Sequence, residues 1–141
     1  MREILFRGRR RDNREWVFGS CYKQTEFYGD KAEGIMIITS SESLCYDQAL
    51  EYYAVSEETV GQFTGMTDKN GKKIFEGDVV RITDDEGNTD FSDGGIGAVE
   101  FFDGLWYVGG QVHNGLYDLH KCFFIEVIGN IHDQPELLET T

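Results

Sequence analysis

The chain predicts a mainly β protein with only short helices, an N-terminal β-hairpin and neighbouring strands packed on a small SH3-like barrel, and three observations carry that expectation. Ten Phe, seven Tyr and 17 Gly against a single Pro describe a chain of turns and strands rather than a helical bundle. The apolar runs are short and bounded by Gly, Asn and Asp, the punctuation of strands. The length of 141 residues suits one domain over 1–141, with possible subdomains at 1–58 (N-terminal strands) and 59–141 (the barrel-like region).

The elements follow in order. Residues 4–10 and 16–22 are aromatic and aliphatic runs joined by Arg11, Asp12 and Asn13, which reads as a hairpin with arginines at its tip. A polar stretch around Tyr28, Gly29 and Asp30 precedes the β-branched run 35–39, a buried strand, and then a loop from Thr39 to Ser43. A short strand at 52–55 leads to Ser56, Glu57 and Glu58, an N-cap with acidic first-turn residues, so a turn or two of helix is expected near 56–63. Asp68, Lys69, Asn70 and Gly71 form a turn signal before a strand at 79–82. Five carboxylates between Asp84 and Asp93 mark a solvated loop without the ligand order of a calcium loop. Residues 98–102 and 105–108 flank Asp103 and Gly104, the strongest hairpin signal in the chain. A last strand at 123–128 and a short helix at 133–138, capped by Asp133, complete the reading, and 60–131 has the strand order of an SH3-like barrel.

Charge is distributed unevenly. Six arginines face three carboxylates in the first 15 residues, a local net charge of +3, so the remaining 126 residues carry −16 of the total −13. An acidic surface repels phosphate backbones, which disfavours general nucleic-acid binding. Arg7, Arg9 and Arg11 fall on one face of a strand and Arg10 on the other; with Trp16, the first three are the candidate residues for an anion site or a subunit contact. No apolar run reaches bilayer length and the N-terminus lacks the pattern of a secretory signal, so a cytosolic protein that does not enter membranes is expected.

Chemistry-bearing motifs are sparse. Cys21, Cys45 and Cys122 form no close pair and are expected to be reduced and buried. His120 and Cys122 would share a strand face, but without CxxC, HExxH or a second tight ligand pair neither zinc nor any other cofactor is expected. GxSxG and GxxxxGK[ST] are both missing, and no catalytic residue is assigned. Trp16, Phe101, Phe102, Trp106 and Tyr107 are read as core or subunit-interface rings in preference to a base-stacking platform.

Three stretches carry a family resemblance: REILFRGRRRDNREWVFG at the start, TVGQFTGMTDKNGKKIFEGDVVRI at 59–82 and EVIGNIHDQPELLE at the end. Together they closely resemble the YopX family of phage and prophage proteins, departing by similar residues at Met66, Phe75 and His132, where Leu, Tyr and Tyr would be expected. The resemblance implies a phage-encoded, cytosolic homo-oligomer, read as a non-enzymatic accessory or interaction protein that engages a host protein. It supplies no catalytic residues. It also implies a helical fold, against which the residue patterns argue for strands. The alternative is an oligomeric binder of an anionic, nucleotide-like small molecule at the arginine cluster.

Overall fold

The computed structural model describes residues 3–24, 34–39 and 51–139 and divides into two compact units, Met1–Phe63 and Thr64–Thr141. The sequence readings at Tyr28 to Asp30, Thr39 to Ser43 and Cys45 reach into or lie wholly within residues outside that range. The expected class is observed: antiparallel β-sheets with one short α-helix.

In the first unit β1 (Phe6–Arg9), β2 (Trp16–Gln24), β3 (Gly34–Thr39) and β4 (Glu51–Val55) form a meander, and the start of β5 (Gly61–Thr67) pairs with the other edge of β1. The first hairpin turns through residues 11–14, with Arg14 at φ 64° and the Arg10 N–H donating to the Glu15 carbonyl at 2.8 Å. Register fixes the faces. Phe6, Gly8, Val17, Gly19, Cys21, Ile37 and Val55 share one face, while Arg7, Arg9, Trp16, Phe18, Met36 and Ile38 share the other. The meander curls toward the first of these faces, where Ile37 and Val55 are fully buried. A Cβ at Gly8 would lie 2.9 Å from the Val55 side chain, so glycine there lets the two strands approach. A single bridge, Arg10 to Val55, then brings the end of β4 against the end of β1, reinforced by the Ser56 N–H to the Arg9 carbonyl at 2.9 Å.

In the second unit β6 (Lys73–Phe75) follows the end of β5, and a five-stranded sheet is ordered β10 (Asn114–Gly115), β9 (Leu105–Val108), β8 (Gly95–Phe102), β7 (Asp78–Thr83), β11 (Phe124–Asn130). The helix α1 (Leu116–Cys122) links the two edge strands. Ile74, Val80, Ile82, Val99, Val108, Val112, Leu116, Leu119 and Ile125 make its core. The described strands do not close into a barrel, so the SH3-like barrel expected over 60–131 is not borne out; Leu116 and Leu119 of α1 fill the core beside the strands.

Helix placement needs correction in three places. Near Ser56 there is only a 3-10 turn, Glu57–Thr59, and 61–67 is strand; the Ser56 hydroxyl makes no cap, its carbonyl instead accepting from Thr59 Oγ1 at 2.6 Å. The C-terminal piece is a 3-10 turn over Pro135–Leu138, with Gln134 rather than Asp133 at its N-cap position. The α-helix at Leu116–Cys122 was not expected, and no described helix is long and apolar enough to cross a membrane.

Candidate functional site

The arginines of the first hairpin are placed one by one. Arg7 lies opposite Phe18 on β2, which makes Trp16 its diagonal neighbour on the same face. Its guanidinium sits 4.9 Å from the Trp16 ring centroid and the residue is only 7% exposed. A guanidinium is weakly hydrated and stacks on aromatic faces, which makes its burial beside an indole tolerable. Arg9 shares that face and is half-buried. Beyond the end of β1, Arg10 stacks 4.1 Å from the Tyr53 ring centroid and donates Nε to Asp12 at 2.9 Å; this hydrogen bond holds the Asp12 carboxyl below its ordinary range. Arg11 is in the turn, its Nε donating to the Val55 carbonyl at 3.2 Å. The cluster is thus spread along a strand and around a turn. The outer face it borders also carries Trp16 and Phe18, the latter 47% exposed.

A second surface is built by β8 and β9. Asp103 and Gly104 take φ of 52° and 83°, the pair of positive values a two-residue type I′ turn requires. Pairing to β7 ends at Ala98, and pairing to β10 ends at Tyr107, so Glu100–Phe102 and Leu105–Trp106 overhang the sheet. Both faces of the overhang carry large apolar side chains, with Glu100 on the face of Phe102 and Tyr107. Phe101 and Trp106 meet edge to face at 5.1 Å on the core side, and Phe102 and Tyr107 meet at 5.4 Å on the other. Tyr107 is braced further by its hydroxyl, 3.2 Å from His113 Nδ1. Phe101 and Phe102 are 59% and 57% exposed and so are not core, the first of the two places offered to them by sequence, and Leu105 beside them is 45% exposed; Trp106 is partly buried and packs against the core.

The distinctive stretch 59–82 has a different role. Asp68, buried, accepts from the Asn70 and Lys72 N–H groups with one oxygen, at 2.9 Å each, and from the Val127 N–H with the other at 3.0 Å. Burial pushes this carboxyl up, but the three backbone donors outweigh it and leave its pKa below the ordinary carboxylate value. Lys69 donates its N–H to the Ile125 carbonyl at 2.9 Å, so the DKNG turn covers the outer edge of β11. Asp78, also buried, accepts from the Phe75 N–H at 2.8 Å across Gly77, which has φ 90°. These carboxylates serve the backbone. Beside them Asp68, Lys69, His120, Phe123, Phe124 and Ile125 line a pocket of about 170 Å³, small against the roughly 300–1,000 Å³ of ligand sites.

His120 and Cys122 stand on α1 rather than on a strand, so a two-residue spacing no longer puts them on one face. Cys122 is exposed and Cys21 half-buried, not both buried as expected; both are free thiols, and burial pushes Cys21 up. Among the described residues no three His, Cys, Asp or Glu side chains group as metal ligands would. Sequence reasoning recognised the second hairpin and missed its overhang, because what neighbouring strands leave unpaired is a tertiary property.

The chain matches the YopX family, described as YopX protein, over residues 5–139. No curated protein sequence matches it. Among solved structures it is similar to protein EF1440 from Enterococcus faecalis, at 24% identity and a TM-score of 0.50, covering 98% of this chain and 99% of that one. That similarity concerns the fold.

Proposed function

Because the chain belongs to the YopX family, we propose that it is a phage- or prophage-type accessory protein without catalytic activity, working in the host cytosol through contacts with its own copies and with a host protein. The observation that supports this reading is the overhanging β8–β9 hairpin. Three large apolar side chains held in water by a stiff turn and two cross-strand ring pairs are a contact surface in waiting, since their burial against a partner is favourable at about 25 cal/mol per Å². The arrangement is also preorganised, so little conformational entropy is lost on docking.

Light scattering after size exclusion, at tens of micromolar protein, tests the self-contact: species larger than 16.1 kDa are expected, and a clean monomer overturns it. Capture from infected cells tests the host contact, with Phe101→Ser/Phe102→Ser as the comparison; proteins retained equally by both forms count against the hairpin. Thermal shift against nucleotides examines the alternative. Stabilisation near 2.7 kcal/mol at a hundredfold excess over Kd would replace the contact reading with ligand binding at the arginines.

A further inference from the structure

We propose that the β8–β9 hairpin of one copy docks on the arginine-bearing outer face of β1–β2 in a second copy, a head-to-tail contact between two different surfaces. The proposal rests on the contact reading above and names the partner and the two surfaces.

Charge selects the pair. Residues 98–108 hold Glu100 and Asp103 and no Lys or Arg, so the arm is an acidic aromatic tip. The first 15 residues are the cationic part of a chain that is acidic elsewhere, and around Trp16 and Phe18 they place Arg9 on the strand and Arg14 exposed in the turn. An acidic arm approaching most of another copy's chain meets like charge; over this face it meets arginines, which pair with carboxylates and stack on rings. Phe101 and Phe102 offer apolar area on opposite sides of the hairpin, and exposed Phe18 beside the partly buried Trp16 offers an apolar floor. Each copy carries one arm and one face, so arm-on-face contacts either pair reciprocally in a dimer or run on from copy to copy. Light scattering of the wild type therefore reads a closed dimer in the first case and rings or open chains in the second.

The test is complementation followed by light scattering. Phe101→Ser/Phe102→Ser removes the arm, and Arg9→Glu/Arg14→Glu reverses the face; each variant alone should self-associate roughly tenfold more weakly than the wild type. Mixed, they should form a pair and stop there, because the first retains an intact face and the second an intact arm. Glu100→Gln serves as an arm variant that keeps every ring and the turn and places no cation opposite the reversed face, used in the same mixture should the serine variant lose its wild-type circular dichroism spectrum. Wild-type assembly that persists in both variants, or a mixture that does not pair, overturns this proposal while leaving self-contact intact. A monomeric wild type removes both.

Discussion

Asp68 and Val127, 59 residues apart, are joined by a carboxylate oxygen that accepts the Val127 N–H at 3.0 Å on the outer edge of β11. With the neighbouring Lys69 N–H on the Ile125 carbonyl, the turn after β5 supplies the partners that a sixth strand would have given this sheet.

Asp68→Asn keeps one acceptor oxygen and should lose the Val127 contact, a cost of about 1–3 kcal/mol at neutral pH read as a lower denaturation midpoint. The folded pKa of Asp68 lies below its unfolded value, so its contribution is present above about pH 4 and is lost as pH falls through the folded pKa. The gap between wild type and variant should therefore close on acidification. A gap that stays constant from pH 7 to pH 3 would show that ionisation of Asp68 is not its source.

Trp16 covers Arg7. Trp16→Phe retains a π face over the guanidinium and Trp16→Leu retains only apolar area, so the leucine variant should be the less stable by about 0.5–2 kcal/mol. Equal urea midpoints would mean that the ring face contributes nothing.

Two glycines separate space from conformation. A Cβ at Gly97 would stand 2.1 Å from the Gly109 carbonyl oxygen, whereas at Gly104 it would meet nothing within 4 Å. Gly97→Ala should cost more than about 3 kcal/mol because backbone must move. Gly104→Ala bears only the left-handed φ of 83°, about 1–2 kcal/mol. Thermal unfolding of the two variants should rank them in that order.

Cys122 is exposed on α1 while Cys21 is half-buried with its thiolate disfavoured by burial. Under native conditions a maleimide should modify Cys122 before Cys21, as peptide mapping over time would reveal. The reverse order would contradict the placement of α1.

Both hairpins were legible because local chemistry specifies them: Asp103 and Gly104 demand a tight turn, and short aromatic and aliphatic runs stand on either side of it. The helix at Leu116–Cys122 was not. Its seven residues present only Leu116 and Leu119 to the core, too short a pattern to tell from a strand, and the Gly115 before it provides no side-chain cap. At the candidate surfaces, Trp16 and the arginines were visible as residue types, but alternation failed at Arg11, since β1 ends at Arg9 and the chain has entered the turn. That the signature carboxylates Asp68 and Asp78 serve backbone N–H groups depends on partners as distant as Val127, which sequence order conceals.

The bridge from Arg10 to Val55 sets an order of events in time. The β1–β2 hairpin joins residues six or so positions apart, while the latch that seats Arg11 on the Val55 carbonyl spans 44. With each doubling of a loop adding about 0.6 kcal/mol of closure entropy, the second step is dearer by roughly 2 kcal/mol. On chain entropy the hairpin is expected to form before β4 closes on it, leaving the interior face around Gly8 and Ile37 open to water until then.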